Sequence, residues 1–339
     1  MSRPVNTAEL ARSWVAIPSP SGAERAVLAA IEQVAQSCGL SVRRIAVDSE
    51  RYDLLLGSEQ PPRVLLTTHV DTVPGGPPPT LAGGVLGGRG ACDAKGIAAA
   101  MLGALCDLRD RGTDRVALLL VVGEETTSDG ARAAAGAMSP VAYLVNGEPT
   151  ELRFVSAQRG ALAFKLVAQG VACHSGYPEL GRSAIHALLD ALHRLRLEPW
   201  PGDPEIGATL LNVGSVGGGT APNALADRAW AELMMRPAIA AAAVEGRVRE
   251  LTGDAIEVEV RTRSDPQRFF VPPGRPAIVV GYSSDVAHLR PLGTPLMVGP
   301  GSIHVAHTDR EQVSVAELEQ ARRLYAELCG ELLQRDAAP

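Results

Sequence analysis

Three apolar runs of strand length, at 63–68, 115–122 and 141–145, each stop at a polar, ionisable cluster: His69-Val70-Asp71, Gly123-Glu124-Glu125 and Asn146-Gly147-Glu148. Continuous apolar runs suit strands buried on both faces, as in a parallel sheet covered by helices. An alanine-rich stretch at 96–111 with helical character separates the first two runs. Strands alternating with helices predict an α/β domain whose sheet is mostly parallel, with helices on both faces. Residues 6–40 read as helices around the Pro-Ser-Pro-Ser-Gly turn at 18–22. The second of them, 23–38, stops at Gly39.

The middle of the chain has another rhythm. A strand at 161–168, a helix at 182–196, strands at 209–216 and 228–236, a helix at 238–252 and a strand at 255–261 form the order β-α-β-β-α-β. That order is the ferredoxin-like pattern and is complete in itself. We therefore expect an inserted domain at 156–263 within a discontinuous domain made of 1–155 and 264–339. The stretch 262–276, rich in Pro, Arg and Gly, reads as a linker. Strands at 277–282 and 296–298 and a helix at 315–333 then return to the first domain.

The net charge of -6 argues against a nucleic-acid partner, whose phosphates need a basic face. No run of 18 apolar residues offers a membrane span. The N-terminus lacks an apolar leader core. The five cysteines form no CxxC pair, which fits reduced thiols. The expected location is the cytoplasm. Of 32 basic residues only Lys95 and Lys165 are lysines.

In an open α/β sheet, functional groups gather beyond the C-terminal ends of the strands. Two further clusters complete the set: the glycine-rich turn Gly88-Arg89-Gly90-Ala91-Cys92-Asp93-Ala94-Lys95-Gly96, and His304-Val305-Ala306-His307-Thr308-Asp309. Carboxylates collected in one place repel one another unless a cation lies between them, and a divalent metal answers that need. Nitrogen and carboxylate donors suit zinc, with cobalt or manganese as alternatives. Five candidate ligands exceed one tetrahedral site and fit two metals sharing a carboxylate. Taken singly, each cluster has an ordinary reading. His69 with Asp71 reads as a strand-end histidine beside a solvated acid, and Glu124-Glu125 as a solvated loop pair.

The segments THVDTVPG, GRGACDAKG, GEE, NGEPT and GPGSIHVAHTDRE, in this order, resemble the two-zinc amidohydrolase family of acetylornithine deacetylase, succinyl-diaminopimelate desuccinylase, aminoacylase and carboxypeptidase G. The likeness runs from about Ile17 to the C-terminal helix. It implies that His69 and Glu148 bind one zinc, that Glu125 and His307 bind the other, and that Asp93 bridges both before a cis peptide to Ala94. It implies that Asp71 orients His69 and that Glu124 is the general base. The inserted domain would be a lid and dimerisation domain of a homodimer, with His174 reaching the partner's active site. Asn223 and Arg236 match positions that hold the substrate, often by its carboxylate.

The resemblance departs in places. Arg310-Glu311 stands where the family usually has Asp-Glu, and His304 lies three residues before His307. His304 and His288 receive no role. The expected reaction is zinc-dependent cleavage of an N-acyl amino acid, acetylornithine deacetylase-like. The alternatives are deacylation of acetyl-lysine or carrier-linked lysine, succinyl-diaminopimelate desuccinylation and small-dipeptide cleavage. From other classes stand a non-catalytic homologue used for binding, and a metal-independent hydrolase using Cys92 or a serine. No G-x-S-x-G elbow occurs for the latter.

Overall fold

The computed structural model describes residues 6–57 and 60–335. The leader reading of residues 1–5 and the last four residues of the 264–339 block lie outside the described residues. The chain divides into two compact units. The first comprises the chain up to Ser156, Phe269–Ile278 and the chain from Ser284. The second comprises Ala157–Arg268 and Val279–Ser283.

The first unit is built on a six-stranded sheet. Its order is Ser41–Ala46, Tyr52–Gly57, Val116–Val121, Val64–His69, Tyr143–Asn146 and Thr294–Met297. The last four strands are mutually parallel. The first two join one edge by antiparallel pairing.

Side chains two apart on a strand share a face, and the cores follow that period. Leu66, Leu118 and Leu120 join the larger core with helices Thr7–Val15, Arg25–Ser37, Lys95–Asp110 and Val315–Arg335. Leu65, Leu119 and Val121 join a smaller core with helix Asp129–Ala137 and the turn of helix Val286–Leu289. Every residue of Val64–His69 and Val116–Val121 is buried, which is why these runs lack alternation. Helix Lys95–Asp110 is buried over most of its length. Its Gly96 permits the close approach: a Cβ there would meet the Ala91 carbonyl at 2.1 Å.

The second unit is a four-stranded antiparallel sheet in the order Leu210–Gly218, Arg228–Arg236, Ala161–Gln169, Ile256–Ser264. Helices Ala184–Leu197 and Ala241–Thr252 pack on one face through Leu188, Leu195, Val244 and Val248. Ser183 caps the first of these by accepting the His186 N–H at 3.2 Å. Strand Arg228–Arg236 alternates buried with less buried positions, as a one-sided sheet requires.

The mixed α/β class and the β-α-β-β-α-β order are as the sequence predicts. The linker reading of 262–276 needs correction. Strand Ile256–Ser264 runs into it and Gln267–Arg268 forms a short strand of its own, because the Thr-Arg-Ser continuation still pairs with Ala163, Leu162 and Ala161.

Candidate metal centre

All strand-end clusters of the first unit converge. His69 is the last residue of strand Val64–His69. Its Nε2 lies 3.0 Å from Asp93 Oδ1. Its Nδ1 lies 3.0 Å from the Asp71 carbonyl oxygen and 3.4 Å from Asp71 Oδ1. Asp93 stands just before helix Lys95–Asp110, and the Asp93–Ala94 peptide is cis. Its other oxygen lies 3.2 Å from His307 Nε2, which lies 3.0 Å from Glu125 Oε1. Two groups of candidate donors result, His69 with Asp93 and Glu148, and Asp93 with Glu125 and His307. Within each group the donor atoms lie within 4.8 Å of one another, and Asp93 belongs to both.

Local backbone explains how these side chains are aimed. Gly123 adopts φ +76°, and a Cβ there would meet Asp129 Oδ1 at 2.1 Å. Only glycine makes this turn at the end of Val116–Val121. The turn sends Glu124 and Glu125 back toward Asp71, whose carboxylate accepts both of their backbone N–H groups at 3.1 Å. Ser21 donates a further hydrogen bond to Asp71 at 2.7 Å. Asn146 donates to Glu148 at 3.3 Å. His307 sits in the left-handed region at φ +61°, a conformation that costs a non-glycine residue about 1–2 kcal/mol.

The electrostatics suit a cation. Burial works against charge on His69, but its hydrogen bonds to Asp71 and Asp93 outweigh it and raise its pKa. Burial would raise Asp93, yet its contacts to His307 and His69 hold it well below the usual carboxylate range. Hydrogen bonds to Asp93 and Glu125 push His307 up to about 10. Burial, with the neighbouring Asp93 charge, pushes Glu148 up to about 8 although His69 opposes it. Glu124 is raised by burial, with Asp285, Glu148 and Glu125 adding to the effect and His69 opposing it. A divalent ion among these oxygens and nitrogens would supply the positive charge that the crowded carboxylates call for. Two imidazoles and three carboxylates with a shared aspartate fit a pair of such ions.

Other candidates fall outside these groups. His304 is exposed and feels the charge of Glu151. His288 lies in helix Val286–Leu289, where burial and the Arg132 charge lower its pKa. Cys92 is buried, and burial with the Glu311 and Asp93 charges pushes its thiol strongly up, which removes it as a nucleophile.

In the second unit, the loop of His174 pairs with that of Asn223: the Asn223 carbonyl accepts the Ser175 N–H at 2.9 Å. His174 Nδ1 accepts the Gly176 N–H at 3.0 Å, so in the neutral ring Nε2 carries the proton. Arg236 donates to Ser283 Oγ at 3.2 Å.

Sequence reasoning missed two buried carboxyl groups. Asp285 is buried at the start of helix Val286–Leu289, and burial pushes its pKa to about 7 although Ser128 opposes the shift. Glu311 is buried against the Gly90–Asp93 turn. Its signal in the sequence was its place in the Arg310-Glu311 pair, where the family usually has Asp-Glu, four residues after His307.

The fold and this donor set define a metallohydrolase. The family model for Peptidase family M20/M25/M40 matches residues 65–331, and the chain belongs to that family. It is thus a metallopeptidase-type hydrolase acting on amide bonds. A probable carboxypeptidase of Aspergillus flavus is 37% identical over 334 residues, covering 85% of this chain and 77% of the relative. The aminopeptidase PepT of Bacillus cereus superposes with a TM-score of 0.80 at 20% identity, covering 98% of this chain and 99% of that one. The YXEP protein of Bacillus subtilis, described as a dinuclear metal-binding peptidase, has a TM-score of 0.72 at 17% identity, covering 97% and 98%.

Proposed function

We propose that the protein is a two-zinc hydrolase that cleaves an amide whose amine side is an amino acid with a free carboxylate. The observation that carries this reading is the pair of donor groups sharing Asp93, with Glu124 beside them. Cobalt or manganese could take the place of zinc in the same donors. An N-acyl amino acid and a peptide's C-terminal residue present the same group, an amide followed by a carboxylate. Acetylornithine is our first substrate, from the sequence likeness. The carboxypeptidase name of the Aspergillus relative supports the second reading, removal of the last residue of a short peptide.

When bound, the metals supply an acidified water and a polarised carbonyl. The remaining work falls to side chains. Glu124 takes the proton from the attacking water and passes it to the leaving amine. Asp71 holds the backbone that carries Glu124. His174 donates from Nε2 to the oxyanion, acting from the partner subunit of a homodimer whose second unit is the lid. Arg236, whose fork matches a carboxylate, and Asn223 hold the substrate. Among the described residues no helix is long and apolar enough to cross a membrane, and we place the enzyme in the cytoplasm.

The test is amine release by zinc-loaded protein from acetyl-ornithine, acetyl-lysine, acetyl-methionine, succinyl-diaminopimelate and dipeptides, with and without chelator. Chelator-sensitive release confined to acyl amino acids selects the first reading, and release confined to peptides the second. Release that survives the chelator would overturn both.

A further inference from the structure

Glu311 has surroundings that the proposed chemistry does not use. Its side chain is fully buried. Oε1 lies 2.8 Å from the Gly90 nitrogen, 3.3 Å from that of Asp93 and 3.4 Å from that of Cys92. Oε2 is paired with the Arg89 guanidinium. The backbone of Glu311 reaches the same turn, because its carbonyl accepts the Gly88 N–H at 3.0 Å. Its own N–H donates to the Thr308 carbonyl at 3.3 Å, closing the loop that begins at His307. One residue therefore holds both segments that meet at the second donor group, the turn ending in Asp93 and the loop presenting His307.

A packing role does not require this residue type. A buried anion costs several kcal/mol unless it is paired and hydrogen-bonded, and here it also stands near the negative Asp93. What a carboxylate adds is one oxygen that gathers the Gly90, Cys92 and Asp93 N–H groups and a second that pairs with Arg89, which together fix the turn.

We propose that Glu311 is the positioning residue of the metal site formed by Asp93, Glu125 and His307, holding Asp93 by its side chain and His307 through its own loop. The proposal rests on the two-metal reading above. Residues that orient metal ligands typically change affinity about 10–100-fold when altered, which sets the expected effect.

The test is titration of metal-free protein with zinc, and with cobalt for its absorption bands, in wild type, Glu311→Gln, Arg89→Met and the double variant. Glutamine keeps an oxygen for the N–H groups but turns an NH2 group toward Arg89. We expect Glu311→Gln to stay folded by circular dichroism and to bind one equivalent about 10–100-fold more weakly, with altered cobalt bands. The double variant, which removes the donor–donor clash, should recover most of that loss. Both equivalents binding Glu311→Gln as tightly as wild type, with only the melting temperature lowered, would overturn the proposal. If Glu311→Gln does not fold, Glu311→Asp, titrated in the same way, decides: its shorter carboxylate withdraws from the Gly90, Cys92 and Asp93 N–H groups, so weakened binding of one equivalent supports the proposal and unchanged binding overturns it. Wild-type protein that takes up fewer than two ions would instead overturn the two-metal reading, and this proposal with it.

Discussion

Asp71 Oδ1 accepts the backbone N–H of Glu124 at 3.1 Å, across 53 positions of sequence. Its second oxygen takes the N–H of Glu125, also at 3.1 Å, and the Ser21 hydroxyl. The Asp71 carbonyl oxygen lies closer to His69 Nδ1 than its carboxylate does, at 3.0 Å against 3.4 Å. Asp71 thus serves the loop carrying the two glutamates at least as directly as it serves the histidine. Asparagine has one acceptor oxygen where two are used, so Asp71→Asn should lose at least one of these bonds, costing about 1–3 kcal/mol. We expect a lower melting temperature and a kcat reduced more than tenfold with KM nearly unchanged. Steady-state kinetics on the folded variant checks this, and a change in KM alone would contradict it.

Glu124→Gln should leave both donor groups intact while removing the base. Metal content should match wild type, and kcat should fall about 10²–10⁴-fold. Metal analysis beside the kinetics separates this from damage to the centre.

Removing metal should destabilise the protein. An ion that binds only the folded chain adds about 2.7 kcal/mol when present at a hundredfold over its Kd. Calorimetry with and without chelator should show a melting temperature that falls and is restored by zinc. No difference between the two would argue that the donor groups stay empty.

Asp53 makes stability depend on pH. It is buried, accepts the Val122 N–H at 3.1 Å, and burial with the nearby Asp285 and Asp129 charges raises its pKa to about 8. Between the ordinary carboxyl value near 4 and about 8, the unfolded chain has released this proton and the folded chain still holds it. The folded state binds more protons there, so stability falls as pH rises through that window. Asparagine keeps the acceptor oxygen without the proton. Asp53→Asn should therefore melt above wild type by a margin that widens from pH 5 to pH 8, by about 2 °C or more at the upper end. A margin constant with pH would refute the assignment.

The sequence disclosed what local chemistry writes into it. The strands ending at His69, Val121 and Asn146 were legible because both their faces are buried and nothing interrupts their apolar runs. The two strands at the sheet edge were not. Ser41–Ala46 carries two arginines and buries only Ile45, and Tyr52–Gly57 contains the buried Asp53, so neither resembled a core strand. Among the candidate donors, His69, Glu125 and Glu148 stood out because each ends or follows an apolar run, and Asp93 because it lies in a glycine-rich turn, whereas His307 has neither neighbour and was singled out by the family likeness alone. The supports of those donors were not legible. The contacts of Asp71 with Glu124, and of Glu311 with Gly90, join residues 53 and 221 positions apart, and no spacing rule reaches that far.

Lys95 is one of two lysines in the chain. It is buried at 1% exposure, with its Nζ donating to the Ile17 carbonyl at 2.7 Å. Lys165, the other, is partly exposed on the second unit, its ammonium over the Trp230 ring. To an amine-selective reagent the folded protein therefore offers one lysine side chain, so a dye or cross-linker acylating lysine side chains would mark the second unit and leave the metal-centre residues unmodified.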